Sequence, residues 1–288
     1  MMSYISVRNL SYQYPIGNEN VLKNINLDLE QGKLYALIGS NGSGKTTLCN
    51  VLRGYIPHFY KGELQGHVNI KEKDIREWEM GEIAKHIGYV FQNPFTQISG
   101  VKDTVFEEIA YGLENLGIEV DAIKKSVENV IQMLDIDYLR DKNPNDLSGG
   151  QKQRVAFASI IVMNPDILII DEPTSQLDPD GTEEIFRIID LMKRQGKTII
   201  LVEHKMELIA KYADEVILMQ NGEVKMKGKK EDILSDKEVL QFDSTLPQYA
   251  LLGLELRKKG VYLDSLPITE EDALEIITKL LERKEVCI

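Results

Sequence analysis

Nine consecutive residues, Gly39-Ser40-Asn41-Gly42-Ser43-Gly44-Lys45-Thr46-Thr47, are spaced to hold phosphate. They fit the pattern Gly-x4-Gly-Lys-Ser/Thr. Glycines let the backbone turn its N–H groups inward around an anion. The N-terminus of a following helix adds partial positive charge at the same place. Lys45 can reach the β- and γ-phosphates of a nucleotide, and the Thr46 hydroxyl can ligate Mg²⁺.

Two further runs extend this chemistry. Ile167-Leu168-Ile169-Ile170-Asp171-Glu172-Pro173 is an apolar strand ending in two carboxylates. Asp171 can hold Mg²⁺, directly or through water, while Glu172 is placed to polarise an attacking water. Leu147-Ser148-Gly149-Gly150-Gln151-Lys152-Gln153-Arg154 puts a serine and two glycines at a helix start. That is a second anion site made of backbone N–H groups.

These groups need a rigid scaffold, and the hydrophobic pattern supplies one. Residues 34–38 read as a buried strand feeding the phosphate loop, with a helix from Thr46 to Arg53 behind it. Residues 3–7 and 24–29 alternate as half-buried strands do. Short strands are expected at 66–70, 87–91, 198–202, 215–219 and 223–227, the last two joined by the hairpin signal Asn221-Gly222. Helical spacing runs from about Asp103 to Met163, then over 181–194 and 205–212. Interleaved strands and helices imply an α/β core with a mainly parallel sheet. The stretch of about 95–163 reads as a helical insert. From 241 to 288 two small helices are expected around Gly260 and Pro267, carrying Leu252, Leu254 and Leu256, then Ala273, Ile276, Ile277, Leu280 and Leu281.

Composition excludes some classes. The 288 residues include 34 basic and 46 acidic side chains, a net charge of −12. That balance argues against nucleic acid as a partner, because nucleic-acid affinity comes from lysine and arginine on phosphates. Two cysteines, Cys49 and Cys287, give no disulfide framework, which fits a reducing compartment. No apolar run nears the roughly 20 residues that span a bilayer, so a membrane role is expected only through a partner.

The run from Leu147 to Arg154 resembles the signature motif of ATP-binding cassette (ABC) ATPases. Beside it, the phosphate loop and the strand ending at Asp171-Glu172 resemble that family's Walker A and Walker B motifs. The resemblance covers residues 1 to about 240. It implies a P-loop ABC-type nucleotide-binding domain with an inserted helical subdomain, an antiparallel β-subdomain and, over 241–288, a short helical extension. Gln92 in Val90-Phe91-Gln92-Asn93-Pro94 resembles the Q-loop glutamine, with a role at Mg²⁺ or the attacking water. His204 in Val202-Glu203-His204 resembles the switch histidine. Ser175-Gln176-Leu177-Asp178 resembles the D-loop, with Gln176 replacing the commoner alanine. Tyr14 is expected to stack on adenine, with Tyr12 as the alternative. In that family Ser148, Gly149, Gly150 and Gln151 close over ATP held by a second ATPase domain. The resemblance thus implies ATP and Mg²⁺ as cofactors and a dimer of ATPases.

A narrower resemblance is to the ATPases of energy-coupling factor (ECF) uptake transporters. It rests on Phe91-Gln92-Asn93-Pro94 with Gln97, on the run Val105 to Gly112, on Ile56-Pro57-His58-Phe59-Tyr60-Lys61-Gly62-Glu63 and on Leu256-Arg257-Lys258-Lys259-Gly260. It implies a second ATPase, identical or paralogous, an integral membrane scaffold and a substrate-binding membrane protein. The location it implies is the cytoplasmic face of the cell membrane, and the cargo a vitamin-like compound or metal ion. The alternatives are a non-ECF importer or exporter subunit, or a soluble ABC ATPase. Asp103, Glu107 and Glu108 have two open readings. They edge a groove for an arginine-bearing helix of the scaffold, or they cap the helix at 104–115.

Overall fold

The computed structural model describes residues 3–285, so Cys287 lies outside it. Its ten strands are β1 (Ile5–Gln13), β2 (Leu22–Leu29), β3 (Leu34–Ile38), β4 (Glu63–Ile70), β5 (Lys73–Asp74), β6 (Ile87–Val90), β7 (Ile167–Asp171), β8 (Thr198–Val202), β9 (Glu215–Gln220) and β10 (Glu223–Lys229). They form a four-stranded sheet, β2-β1-β4-β5, and a six-stranded sheet, β10-β9-β3-β8-β7-β6.

The larger sheet is parallel from β9 to β6, and β10 runs antiparallel to β9. Its central strands, β3, β7 and β8, are buried along all five residues each. That is why each is an unbroken apolar run rather than an alternating one. Register brings their C-terminal ends level: Asp171 pairs with Val202, and Leu37 pairs with Val202 from the other side. Ligands of open α/β sheets bind outside such strand ends.

Each face of this sheet has its own cover. Tyr35, Leu37, Ile169 and Ile200 pack against the smaller antiparallel sheet and the helix Lys45–Leu52. Ala36, Ile38, Leu168, Ile170 and Leu201 pack against helices, including the insert helices Val105–Asn115, Val120–Met133 and Gly149–Ile161. The insert is amphipathic as the spacing predicts, burying Val105, Ile109, Leu113, Val127 and Ile131.

The extension forms helices Gln248–Lys258 and Glu270–Glu285. Leu246, Ala250 and Ile268 belong to the same hydrophobic cluster as the sheet and insert. The helix Gln248–Lys258 turns Ala250 and Gly253 inward and packs Leu254 against that cluster, leaving Leu252 44% exposed.

Candidate nucleotide-binding and hydrolytic site

The phosphate loop leaves β3 at Ile38 and enters the helix Lys45–Leu52 at its N-cap, Gly44. No side chain caps that helix, so its first N–H groups are open to an outside anion. Gly39 has φ 142°, and a Cβ there would meet the Met219 carbonyl oxygen at 2.1 Å. Only glycine fits this position. The hairpin after β9 braces the loop, with Gly222 N–H donating to Ser43 O at 3.1 Å. Lys45 is buried, and its Nζ donates to Gly39 O at 2.8 Å and Ser40 O at 3.0 Å. Burial lowers its pKa, and the nearby Glu172 and Asp171 oppose that shift. Ser43 Oγ is buried without a hydrogen-bond partner among the described residues. A glycine cradle, an open helix start and a buried lysine fit a polyphosphate.

Asp171 ends β7, and its Oδ2 accepts from the Tyr89 hydroxyl at 2.7 Å. Burial pushes the Asp171 carboxyl above its usual range, while the Tyr89 hydrogen bond and Lys45 pull it down. Tyr89 is itself held by Arg53, whose guanidinium lies 3.8 Å from its ring centroid and 3.7 Å from that of Tyr55. Among the described residues no three His, Cys, Asp or Glu side chains gather as a metal cluster. The oxygen donors Thr46 and Asp171 suit Mg²⁺, which commonly takes one or two carboxylates and completes its shell with phosphate and water.

Glu172 has φ 45°, in the left-handed region, and its N–H donates to Val202 O at 2.9 Å. Such strained backbone persists only where its surroundings hold it. The Glu172 carboxylate then meets two partners from distant elements. Gln92 Nε2 donates to Oε2 at 2.7 Å, and His204 Nε2 lies 2.9 Å from Oε1. Gln92 follows β6 and His204 follows β8, so the parallel sheet brings together residues 80 and 32 positions apart. A carboxylate fixed from two sides can orient a water or take its proton.

Gly39, Ser40, Asn41, Glu172 and His204 line one cavity of about 540 Å³. Asp243, Ser244 and Thr245, from the start of the extension, line it too. Gln220 Nε2 donates to Asp243 Oδ2 at 3.0 Å, tying this loop to the end of β9. Sequence reasoning missed these residues, and nothing in their local pattern points to the site.

Ser148, Gly149, Gly150 and Gln151 do not line that cavity. Ser148 is the N-cap of the helix Gly149–Ile161, in a reciprocal box with Gln151. Asp178 caps the helix Pro179–Arg194 through Gly181 N–H at 2.8 Å, and Gln176 is exposed. Tyr12 is fully buried with its hydroxyl on Lys61 O, whereas Tyr14 is partly exposed with its hydroxyl 3.2 Å from Thr47 Oγ1. Of the two rings, only that of Tyr14 is open to a base.

Gln97 pins the loop after β6, accepting from Phe91 N–H at 3.1 Å and donating to Ala156 O at 3.2 Å. Glu107 completes a capping box with Thr104. Glu108 is 3% exposed and accepts from the Ser99 N–H and hydroxyl, both at 2.7 Å. Both glutamates are engaged within the insert, Glu107 in the helix cap and Glu108 with Ser99, while Asp103 and Glu107 stay exposed.

The ABC transporter family pattern matches residues 22–175. A putative ABC transporter ATP-binding protein of Pyrococcus horikoshii is 38% identical over 278 residues, covering 96% of this chain and 97% of its own length. An energy-coupling factor transporter ATP-binding protein of Clostridium perfringens is 39% identical over 285 residues, covering 96% and 98%. The structure of cbiO1 from Clostridium perfringens, part of the ABC transporter complex cbiONQ, superposes with a TM-score of 0.74 at 32% identity, covering 90% of this chain and 98% of its own. A dimeric ATP-binding cassette bound to ADP and phosphate superposes with a TM-score of 0.68 at 27% identity, covering 78% and 98%. With a matching family pattern, near full-length relatives and a phosphate loop built as described, the chain belongs to the ABC transporter family of ATP-binding subunits, ATPases coupled to transport.

Proposed function

We propose that this chain hydrolyses MgATP at the interface of an ATPase dimer and powers ECF-type uptake of a vitamin-like compound or metal ion. The observation that carries the hydrolytic part is the Glu172 carboxylate, held at 2.7 Å by Gln92 and 2.9 Å from His204 beside the phosphate loop. In this reading the phosphate loop and Lys45 bind the β- and γ-phosphates. Thr46, Asp171 and Gln92 hold Mg²⁺, which supplies charge neutralisation on the phosphates. Tyr14 stacks on adenine. Glu172 aligns the attacking water and accepts its proton, and His204 keeps that carboxylate aimed.

In this reading the site is completed from outside the chain, in keeping with a Glu172 cavity that Ser148 to Gln151 do not line. A second copy or a paralogue would bring its own signature loop over this γ-phosphate, with Asp178 near the contact. Closure around two ATPs and opening after hydrolysis would move the helical insert, and with it a membrane partner. Among the described residues no helix is long and apolar enough to cross a membrane, which suits a peripheral subunit on the cytoplasmic face.

The ECF part is supported by relatives named as energy-coupling factor ATP-binding proteins, and by cbiO1. Other relatives carry only the general name of putative ABC transporter ATP-binding protein, which keeps a non-ECF importer or exporter as the second reading. Affinity purification of the tagged chain from native membranes separates the two. Recovery with a membrane scaffold and a small substrate-binding membrane protein supports the ECF reading. Recovery with a permease pair that itself carries the substrate path overturns it.

A further inference from the structure

The His204 side chain is 44% exposed, and Glu172 is the side chain it meets. Its ring therefore has little packing to set its aim. Of its two sequence neighbours, Lys205 is exposed and Glu203 is buried against Thr174. Glu203 is 4% exposed and Thr174 is 1% exposed. Both Glu203 carboxylate oxygens lie 3.2 Å from the Thr174 hydroxyl, and Lys205 N–H donates to Oε1 at 3.3 Å. Lys205 Nζ donates to Thr182 Oγ1 at 3.1 Å and Thr174 O at 3.4 Å. Thr174 follows Glu172 by two residues, and Thr182 lies in the first turn after Asp178. The two side chains that flank His204 thus both reach across to the segment 174–182.

These contacts are not those of a helix cap. The next helix, Met206–Tyr212, has Lys205 at its N-cap and no side-chain capping bond. The Thr174 and Thr182 partners belong to a different element, reached across the ends of β7 and β8. A buried carboxylate is expensive to keep without a partner, and here the partner is the loop that carries Glu172.

We propose that Glu203 and Lys205 are positioning residues. They straddle His204 and clamp its loop to the segment 174–182, so that the imidazole stays aimed at the Glu172 carboxylate. Together with Glu172 N–H on Val202 O, they make one unit of the two loops that meet at the hydrolytic pair. This rests on the assignment of Glu172 and His204 to hydrolysis.

The test uses the full chain with its ATPase partner. Thr174→Val is nearly isosteric and removes the hydroxyl from Glu203, while Thr174→Ser keeps it. Thr174→Val should lower kcat about tenfold, the size of one hydrogen bond to a charged group, with KM for ATP within about twofold of wild type. Thr174→Ser should restore kcat to within about twofold. Lys205→Met should show the same split and serves if Thr174→Val fails to fold. The deciding measurement is single-turnover hydrolysis in a His204→Ala background. If the clamp acts through His204, Thr174→Val and Lys205→Met cause no further loss there. Full additivity in that background, or a raised KM with unchanged kcat, overturns the proposal alone. A His204→Ala variant that hydrolyses ATP at the wild-type rate overturns the hydrolytic reading and this one with it.

Discussion

Replacing Glu172 by glutamine tests the hydrolytic site with little disturbance to its geometry. The backbone bond that holds position 172, its N–H to Val202 O at 2.9 Å, does not involve the side chain. Glutamine has the same shape and tolerates the 45° φ no worse than glutamate. The introduced amide oxygen can accept from His204, and Gln92 can turn its own amide to accept from the introduced NH2 group. Binding groups at Gly39 to Thr47 are untouched. The change should therefore fall on proton transfer and water alignment alone. General-base assistance contributes about 10²- to 10⁴-fold, or about 3–6 kcal/mol of barrier at ~1.4 kcal/mol per decade. The assay pairs single-turnover hydrolysis with calorimetric ATP binding and size-exclusion chromatography. The expected result is a rate reduced within that range, ATP affinity within about twofold, and an ATP-bound dimer that accumulates. A variant that turns over at near the wild-type rate would refute the argument, since no other carboxylate meets both Gln92 and His204 among the described residues.

Tyr14→Ala should weaken ATP and GTP binding alike, by about 1–3 kcal/mol as for base–aromatic stacking. Tyr12→Ala should instead destabilise the fold by about 3–5 kcal/mol, because its ring is fully buried; calorimetry and thermal melts separate the two. Asp171→Asn should leave the apo protein as stable or more so, since burial already disfavours that carboxylate's charged form, yet lose the Mg²⁺ enhancement of ATP binding. Ser148→Arg loses a weak cap, Gln151 N–H to Ser148 Oγ at 3.4 Å, and should cost about 1 kcal/mol. It should still leave ATP on the chain's own phosphate loop while abolishing dimer accumulation in the Glu172→Gln background; undiminished dimers would contradict the in-trans site. Gly149→Ala should raise monomer stability by up to about 1 kcal/mol from helix propensity and weaken ATP-driven dimerisation, as sedimentation with ATP would read.

The parts of this site that were legible in the sequence are those whose signal is local. A phosphate loop needs its glycines and lysine at fixed spacing, and β7 and β8 need unbroken apolar runs because both their faces are covered. What stayed hidden is tertiary. Thr174, Lys205 and Thr182 meet across two strand ends, and Asp243 reaches the cavity through Gln220. Tyr89 supports Asp171 from an adjacent strand 82 positions away. No periodicity marks such pairs, since each residue has an ordinary local context. Glu107 and Glu108 show the same limit from the other side. Their charge left a partner contact and a helix cap both open, and the donors that engage their carboxylates belong to Thr104 and Ser99 of the same insert.

Two glycine-bearing loops of this chain differ in what they demand of their glycines. At Gly39 the chain itself forbids a side chain, with a carbonyl oxygen 2.1 Å from where Cβ would stand. At Gly149 a Cβ would meet nothing within 4 Å, and at Gly150 it would meet only Leu177 Cδ2 at 3.9 Å. Neither has a positive φ. Both sit in the first turn of the helix Gly149–Ile161, where glycine is a poorer helix former than alanine. Nothing among the described residues of this subunit calls for glycine at those two positions. An anion brought close to the backbone N–H groups of that first turn would require it, because a methyl there would stand in its path. Neither glycine lines the cavity beside the phosphate loop of the same chain. In the dimer proposed above, that anion arrives on another molecule, as a nucleotide presented by a second phosphate loop.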